Sequence, residues 1–479
     1  MLNLRKSKNN VFNLLHLSLN NSKIMHMKKY FIFCIFFAIL FSCKQEDLQN
    51  DLTENPQENP QDDPQDNPQD DPQDGSQDGS MDTDSFRIWC ARPIAYIDDG
   101  KVQLIWGPVH TELILRPYEI IEPDTIDIYI SENDMLSFKK IIELKNGGSY
   151  SYTVDELQNG KQYFFFSVSK KNGFEPLYSD TTMAVPNKKK GFEILQKSAE
   201  EYVSNLSNVS IAHKKNKIAY VDNYYYWNGG SNCCMATSVL ISNIDGSEKE
   251  LVKINSYQPS WSPANDKVVF YFDGIHNVGW IPAQIAMYDC KTKSITQLTN
   301  DNYNNYSPVF SKNGESILFQ SSKNTPGTYE TNIWLMNLKT LGTFQVTDIS
   351  KTSLRTVERP CWIDDDRFLI HGTYSDEKSQ YQIFESSVSN GQITKVFDSK
   401  WNDYNPSASP DQNKIAFISN RSGINQVWVY FINSKTFLQI SGYSNNESVE
   451  PGWNSIEWLD NSTIIYTIHG SKLVKQNIE

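Results

Sequence analysis

A short block of residues recurs along the C-terminal half of the chain. It reads YQPSWSPANDKVVFYF, YSPVFSKNGESILFQS, ERPCWIDDDRFLIHG and YNPSASPDQNKIAFIS, starting at Tyr257, Tyr306, Glu358 and Tyr404. The prolines of these blocks are 49, 52 and 46 residues apart. A repeat of this length usually encodes one supersecondary unit, which buries its hydrophobic face only by stacking on its neighbours. The repeats therefore commit this half of the chain to a repeat architecture.

Each block is followed by further strand-like segments. After KIAFIS come QVWVYFIN, a tight turn and FLQIS. Four antiparallel strands in a period of about 50 residues are typical of one propeller blade. Less regular copies precede and follow the four blocks, with Val209 and Ile456 in the proline position. Six copies predict a six-bladed β-propeller over residues 205–479.

The consensus P-x-W-S-P-(D/N)-x-(D/N/G)-x-I-x-F resembles the TolB-type propeller repeat, which is related to WD-type repeats. The fourth blade departs from it by carrying Asp364–Asp366 in place of the second proline. The last copy ends without a fourth strand, and an unclosed ring leaves a free sheet edge. We expect the connector, residues 188–204, to supply that strand from Phe192–Leu195. The alternative is a short helix over Ile194–Leu206.

Residues 87–187 have a different pattern, with short strands such as KVQLIWGP, TIDIYISEN and KQYFFFSVSKK. Leu157 precedes Tyr163 by six residues across an Asn-Gly turn, which is typical of a β-sandwich with a corner tyrosine. This segment resembles a fibronectin type III domain, and the resemblance implies a spacer or adhesive module. Without an Arg-Gly-Asp sequence, a spacer is the favoured role. The residues that carry the resemblance are Trp106, Tyr129, Leu157, Gly160, Tyr163 and Ser179.

The N-terminal region contains an apolar run, Tyr30–Phe41, behind Lys28 and Lys29. The run is shorter than the roughly 20 residues that span a bilayer, and a short basic segment before it indicates a secretory signal. Leu40-Phe41-Ser42-Cys43 resembles the bacterial lipobox, which implies cleavage before Cys43 and lipidation of its sulfur. The alternative is an ordinary signal with an accidental cysteine. Residues 1–43 are thus assigned to the signal, with Met25 or Met27 as possible true starts.

Residues 44–86 form an acidic, proline-rich segment in which ENPQENPQDDPQDNPQDDPQ places a proline at every fourth position. Proline blocks regular secondary structure and the acidic residues repel one another, so this composition cannot form a core. We interpret the segment as a disordered stalk. The acidic residues just after Cys43 resemble a surface-export signal, which predicts an outer-membrane lipoprotein on the cell surface. The periplasmic face is the alternative.

Charge and motif content narrow the functional classes. The formal net charge is −13, and no basic patch suggests nucleic acid. Five cysteines remain outside the signal and anchor, an odd and scattered set without Cys-x-x-Cys spacing, so no disulfide framework or metal site is predicted. Nucleophile-elbow, His-Glu-x-x-His and phosphate-loop motifs are also absent. We therefore expect a non-catalytic binding protein without a cofactor. The alternative is a propeller-based polysaccharide-degrading enzyme such as a lyase.

The first candidate binding site lies at the mouth of the propeller channel. Innermost strands run in the same direction, so the residues two positions before each proline should converge at one end of the axis. Aromatic faces suit sugar rings, and a carboxylate accepts hydroxyl hydrogen bonds. A glycan is one expected partner and another envelope protein is the other. The alternative is that the rings only fill the channel. These residues are Tyr257, Tyr306, Glu358 and Tyr404.

A second candidate is the segment DNYYYWNGGSNCC, which interrupts the first blade between its second and third strands. We interpret its aromatic residues as part of a loop. Side chains alternate along a strand, so four consecutive aromatics cannot all face one core, and at least one should be exposed. A loop packed on itself is the alternative. The aromatic residues are Tyr224, Tyr225, Tyr226 and Trp227.

Overall fold

The computed structural model describes part of the chain, within one compact unit that spans residues 79–479. Only the backbone is described at 86–88, 119–121, 223–227 and 233–236. Cys43, its signal and the acidic repeats of 54–80 lie outside the described residues. The described ranges are 86–88, 90–106, 119–145, 151–197, 206–227, 233–273, 282–325, 330–375, 380–444, 447, 449–450, 455–468 and 471–478.

The described residues are almost entirely β-structure. Their one helical element is a short 3-10 turn, Ile349–Lys351, whose first N–H groups are capped by Asp348. Strands such as Lys414–Ser419 are continuous runs of buried residues, because they lie between neighbouring sheets. The prediction of an all-β fold is confirmed for this part of the chain.

The N-terminal module consists of two facing antiparallel sheets and one small parallel pair. One sheet has the order β2-β3-β7 and the other β10-β8-β5-β6, with β9 on β8, while β1 pairs with β4. The strands are β1 (Phe86–Ile88), β2 (Ile94–Asp98), β3 (Lys101–Ile105), β4 (Glu119–Ile121), β5 (Thr125–Glu132), β6 (Lys139–Lys145), β7 (Ser151–Val154), β8 (Tyr163–Lys170), β9 (Leu177–Tyr178) and β10 (Thr182–Ala184).

The core of this module lies between the two larger sheets. Trp106, Leu104, Ile128 and Phe165 are buried there. The hydroxyl of Tyr163 accepts a hydrogen bond from the backbone N–H of Gln158 at 2.9 Å, which is the contact expected of a corner tyrosine. The assignment of this module to the fibronectin type III family stays a prediction.

The C-terminal module consists of six four-stranded antiparallel sheets, which we number as blades 1 to 6. The strands of blades 1 to 3 are β12 (Ser207–Ile211), β13 (Lys217–Trp227), β14 (Cys233–Asn243), β15 (Glu250–Ile254), β16 (Ser256–Trp261), β17 (Lys267–Phe272), β18 (Gln284–Asp289), β19 (Ser294–Gln297), β20 (Asn305–Phe310), β21 (Ser316–Ser321), β22 (Asn332–Asn337) and β23 (Thr343–Gln345). Those of blades 4 to 6 are β24 (Leu354–Trp362), β25 (Arg367–Tyr374), β26 (Tyr381–Ser387), β27 (Thr394–Lys395), β28 (Asp403–Ala408), β29 (Lys414–Ser419), β30 (Gln426–Phe431), β31 (Thr436–Gln439), β32 (Ile456–Trp458), β33 (Thr463–Ile468) and β34 (Lys472–Asn477), joined by β11 (Glu193–Lys197).

The innermost strands form a closed ring. Each of β12, β16, β20, β24 and β28 lies against the next, and β32 contacts both β28 and β12. Strand β11 pairs antiparallel with β34, so a segment from before the first blade becomes the outer strand of the last. An ion pair of 3.1 Å between Glu193 and Lys475 links the two strands at the surface. This pairing covers an edge that blade 6 alone would leave open.

The residues two positions after the proline slot end the innermost strands, as the repeat spacing predicts. Their side chains are buried or partly buried where one sheet packs on the next. In blade 4 the indole N–H also donates a hydrogen bond of 3.3 Å to the carbonyl of Val309 in blade 3. These residues are Trp261, Phe310, Trp362, Ala408 and Trp458.

The two modules are joined by main-chain hydrogen bonds. Ala95 and Met183 donate their N–H groups to the carbonyls of Ser422 and Arg421 in blade 5, at 2.8 and 2.7 Å. The Arg421 side chain is buried and forms an ion pair of 2.8 Å with Asp403. Because a buried charge is costly without a partner, this pair holds the docking loop in one conformation. The sandwich is therefore fixed on the propeller.

The aromatic segment of blade 1 is strand and not loop, which corrects the sequence interpretation. Tyr224–Trp227 form the end of β13, and each residue pairs with one on β14, the last being Trp227 with Cys233. Tyrosine and tryptophan favour extended backbone, and the matching partner strand satisfies their peptide groups. Blade 1 thus carries a long hairpin. Only the backbone is described here, so the exposure of the four rings stays a prediction.

Candidate functional site

A β-bulge interrupts the innermost strand of blades 1 to 5 at the residue before the proline slot. In each blade that residue has a φ between 45° and 50°, and the register with the second strand shifts around it. Left-handed backbone is unfavourable for residues other than glycine, although asparagine tolerates it best. Its recurrence in five blades marks a shared structural feature. The residues are Asn208, Gln258, Ser307, Arg359 and Asn405.

The bulge separates two regions of the channel. We call the end where the innermost strands begin the aromatic end, and the end where they pass into the following turns the turn end. A cavity of about 880 Å³ occupies the axis from the bulge residues to the turn end. Its walls come from all six blades, chiefly residues 208–213, 258–261, 307–312, 359–365, 405–408 and 455–461.

Two of the predicted site residues lie together at the aromatic end on blades 2 and 3. The ring of Tyr257 stacks on Tyr271 of the second strand at 4.9 Å, and Tyr271 meets Tyr306 edge to face at 5.0 Å. Burial raises the pKa of Tyr306 to about 12, with a smaller contribution from Asp273. Tyr257 and Tyr306 remain only partly buried, so each keeps some accessible ring surface.

The other two predicted residues form a second group on blades 4 and 5. Tyr404 packs against Tyr381 at 4.9 Å and against His371 at 6.1 Å. The backbone N–H of Asn405 donates to His371 Nδ1 at 3.3 Å, which leaves the proton of a neutral imidazole on Nε2. His371 Nε2 lies 3.7 Å from the Glu358 carboxylate. This group therefore combines two tyrosines with a carboxylate held by a buried histidine.

Electrostatics connect the two groups. Burial alone would raise the pKa of Glu358, but the nearby imidazole of His371 and the charge of Arg359 hold that pKa below its usual value. The same guanidinium acts on Tyr271, since it opposes the rise that burial causes in the pKa of that phenol. Arg359 thus lies between the groups, and Glu358 is a carboxylate at neutral pH.

The structure brings Tyr257, Tyr306, Glu358 and Tyr404 to one end of the channel, though in two groups and not in one open ring. The equivalent residue of blade 1, Ser207, is buried, and that of blade 6 lies outside the described residues. None of the four lines the large cavity, because the bulge turns the following residue toward the axis instead.

Sequence reasoning missed the charged residues of the turn end. Burial raises the pKa of Glu457 to about 7, and the nearby ammonium of Lys312 only partly opposes this rise. Burial likewise raises the pKa of the Cys361 thiol and lowers that of His213. All four side chains line the cavity. The repeat alignment could have identified two of these residues, because Lys312 stands where other blades carry proline and Glu457 stands where other blades carry serine.

Within the described ranges, no group of three or more histidine, cysteine, aspartate or glutamate residues is arranged to hold a metal ion. Over the same ranges, no helix has the length and apolar character needed to cross a bilayer.

Six sheets around an axial cavity define a β-propeller. Residues 212–470, more than half of the chain, match the model of the TolB beta propeller domain, and the chain belongs to that family. The Tol-Pal system protein TolB of Francisella tularensis subsp. mediasiatica is 23% identical over 264 residues, which cover 45% of this chain and 59% of that protein. The match thus spans well under two thirds of this curated relative.

Solved structures show the same resemblance at lower identity. TolB from Acinetobacter baumannii is 18% identical with a TM-score of 0.39, covering 67% of this chain and 77% of that one. An oligogalacturonate lyase from Vibrio parahaemolyticus is 12% identical with a TM-score of 0.37, covering 55% of this chain and 73% of that one.

Proposed function

We propose that this protein is a lipoprotein of the bacterial cell envelope whose propeller binds a ligand without transforming it. The binding site is the aromatic end of the channel, and the ligand is a glycan. The observation that supports this proposal most is the convergence of Tyr257, Tyr306, Glu358 and Tyr404 at that end, with ring surface still accessible on each tyrosine. The relatives named for the Tol-Pal system favour an envelope role.

The chemistry of the two groups suits a sugar. The accessible tyrosine surface packs on the apolar face of a sugar ring, and Glu358, held as a carboxylate, accepts hydrogen bonds from neighbouring hydroxyls. Each aromatic contact adds on the order of 1 kcal/mol, so two or three contacts support micromolar to millimolar binding. Many anchored copies raise the effective affinity for a polymeric glycan.

A glycan array probed with the full-length protein tests this proposal. We expect Tyr306→Ala to reduce array binding, whereas Tyr178→Ala, which removes an exposed tyrosine of the sandwich, leaves it unchanged. Binding that survives Tyr306→Ala, or an envelope protein captured in place of any glycan, overturns the glycan assignment. Shortening of the bound glycan during incubation favours the lyase alternative.

The envelope assignment has its own test. Cys43→Ser removes the sulfur that carries lipid, so we expect loss of palmitate labelling and release of the protein from membranes. Unchanged labelling contradicts the lipobox. Protease added to intact cells cleaves the stalk if the protein is on the cell surface, and spares it until the outer membrane is opened if the protein faces the periplasm.

A further inference from the structure

The turn end of the channel presents hydrogen-bond donors that have no acceptor in the described part of the chain. Asn208 is only 5% exposed, yet its side-chain Nδ2 lacks a hydrogen-bond partner there. Lys312, on the turn that follows the innermost strand of blade 3, lines the same cavity and forms no ion pair with a described residue. A buried donor without a partner is unusual in folded proteins. Lys312 is exposed to the same cavity, so an acceptor from solution would satisfy both groups.

Lys312 lines the axial cavity together with residues of the other five blades. Its charge influences the pKa values of side chains on three other blades, since it opposes the rise for Glu457 and for Cys361 and contributes to the fall for His213. These residues come from blades 6, 4 and 1, and all of them line the cavity. The charge of Lys312 therefore acts across the cavity on residues of three other blades.

The carboxylates at the rim of the cavity have other partners. Asp364 pairs with Arg367 at 2.9 Å, and Asp365 accepts the backbone N–H of Asn313 at 2.9 Å. Asp460 accepts the backbone N–H of Ser462 at 2.8 Å, and Lys215 lies near it. Two other cations line the cavity, Lys215 beside Asp460 and Arg359, whose charge acts on Glu358. Lys312 is therefore available to an anion from solution.

The remaining wall suits hydroxyl groups. Ser210, Ser260 and Ser407 follow the proline slot in blades 1, 2 and 5, and Gln258 adds an amide. We propose that the turn end is a binding site for an anionic sugar, whose carboxylate lies on Lys312 and whose hydroxyls contact Asn208 and the serines. Glu457 faces the same carboxylate. This site does not depend on the function proposed for the aromatic end.

The proposal is tested by titrating the full-length protein with D-glucuronate, D-glucose and succinate in a calorimeter at pH 6. We expect glucuronate to bind at least about tenfold more tightly than either of the others, because only it combines a carboxylate with a sugar ring. Equal binding of glucose overturns the anion site, and equal binding of succinate overturns the sugar. Failure of glucuronate to bind at millimolar concentration overturns both.

Substitutions then locate the site. Lys312→Gln removes one charge and should weaken glucuronate binding about tenfold or more, because a charge-assisted hydrogen bond is lost. Lys214→Gln removes a charge from the neighbouring turn of blade 1, outside the cavity lining, and should change nothing. Asn208→Gly keeps a residue that accepts left-handed backbone and should weaken binding several-fold. Unchanged affinity in both site variants contradicts the proposal, and thermal unfolding reports whether each variant is folded.

The pH dependence adds an independent readout. Ionisation of Glu457 places a negative charge beside the bound carboxylate, so affinity for glucuronate should fall between pH 6 and pH 8. Glu457→Gln should remove this fall and bind at pH 8 as tightly as at pH 6. A fall that persists in the variant contradicts the position assigned to the sugar carboxylate.

Discussion

The aromatic end and the turn end lie on opposite sides of the same five bulges, and they differ in how their side chains are paired. At the aromatic end, side chains of the first strand are matched by partners on neighbouring strands, as Tyr257 is by Tyr271 and Glu358 is by His371. At the turn end, Lys312 and Glu457 face one cavity from opposite blades without forming a close ion pair. The side chains of the aromatic end are therefore paired with one another beside their accessible surface, whereas those of the turn end face an open cavity.

This comparison indicates which residues of a repeat protein should be tested for ligand binding. The tyrosines follow the repeat consensus, and a consensus residue usually has a packing partner that repeats with it. The turn end draws its charges from departures from the consensus, since Lys312 replaces the proline found at Pro263 and Pro410. A departure has no repeated partner, so its side chain is more often left to a ligand.

We expect the largest change in stability at a tryptophan that packs between two sheets of the propeller. Trp362 is 2% exposed and ends the innermost strand of blade 4. Trp362→Ala should lower the free energy of unfolding by about 3–5 kcal/mol, because it leaves a cavity between two sheets. Urea unfolding measures this change, with Trp362→Phe as a control that should lose less. If Trp362→Ala leaves the free energy of unfolding unchanged, packing at this position does not stabilise the propeller around the channel.

A smaller effect should appear at the turn end, where the contribution of Glu457 to stability depends on pH. The folded-state pKa of Glu457 is about 7, above the usual 4.5, so the native state prefers the protonated form. This residue therefore costs stability as pH rises from about 4.5 to 7, by at most about 3 kcal/mol and by about 1–2 kcal/mol once its partial exposure is allowed for. Glu457→Gln should remove that cost.

We expect the Gln variant to unfold at a higher temperature than the wild type at pH 8, and at the same temperature at pH 4, where both side chains are uncharged. Glu248→Gln is the matched control, because its side chain is 72% exposed and outside the cavity. Calorimetric unfolding at the two pH values measures the difference. If Glu457→Gln and Glu248→Gln change the unfolding temperature equally, Glu457 is no more destabilising than a surface glutamate.

The smallest effect should come from single rings at the aromatic end. Tyr306→Ala should weaken binding of the glycan selected on the array by about 1 kcal/mol, or roughly fivefold, because one aromatic contact is lost. Tyr306→Phe should retain most of the affinity. Trp227→Ala tests the hairpin of blade 1 in the same titration. If both alanine variants bind as the wild type does, neither aromatic region holds the glycan.

The repeating architecture could be predicted from the sequence. Strand alternation and the spacing of the prolines are local properties, and they place Trp261 and Trp362 at the ends of innermost strands before any coordinates are known. The same periodicity shows that the last copy lacks a strand, a position that Glu193–Lys197 takes in the structure. Local sequence patterns predict the blades because each blade is formed almost wholly by one contiguous segment of the chain.

The contacts between side chains across the ring could not be predicted from the sequence. The left-handed residue before each proline turns Arg359 toward the axis and leaves Glu358 against His371, although the two are adjacent in sequence. Lys312 and Glu457 face the same cavity because blades 3 and 6 lie on opposite sides of one closed ring, a relation that no local pattern encodes. The sequence favours a loop for the aromatic run of blade 1, because the long pairing of β13 with β14 has no counterpart in the other copies of the repeat. Contacts between blades depend on how the sheets rotate around a common axis, and that rotation is fixed by packing of the whole ring.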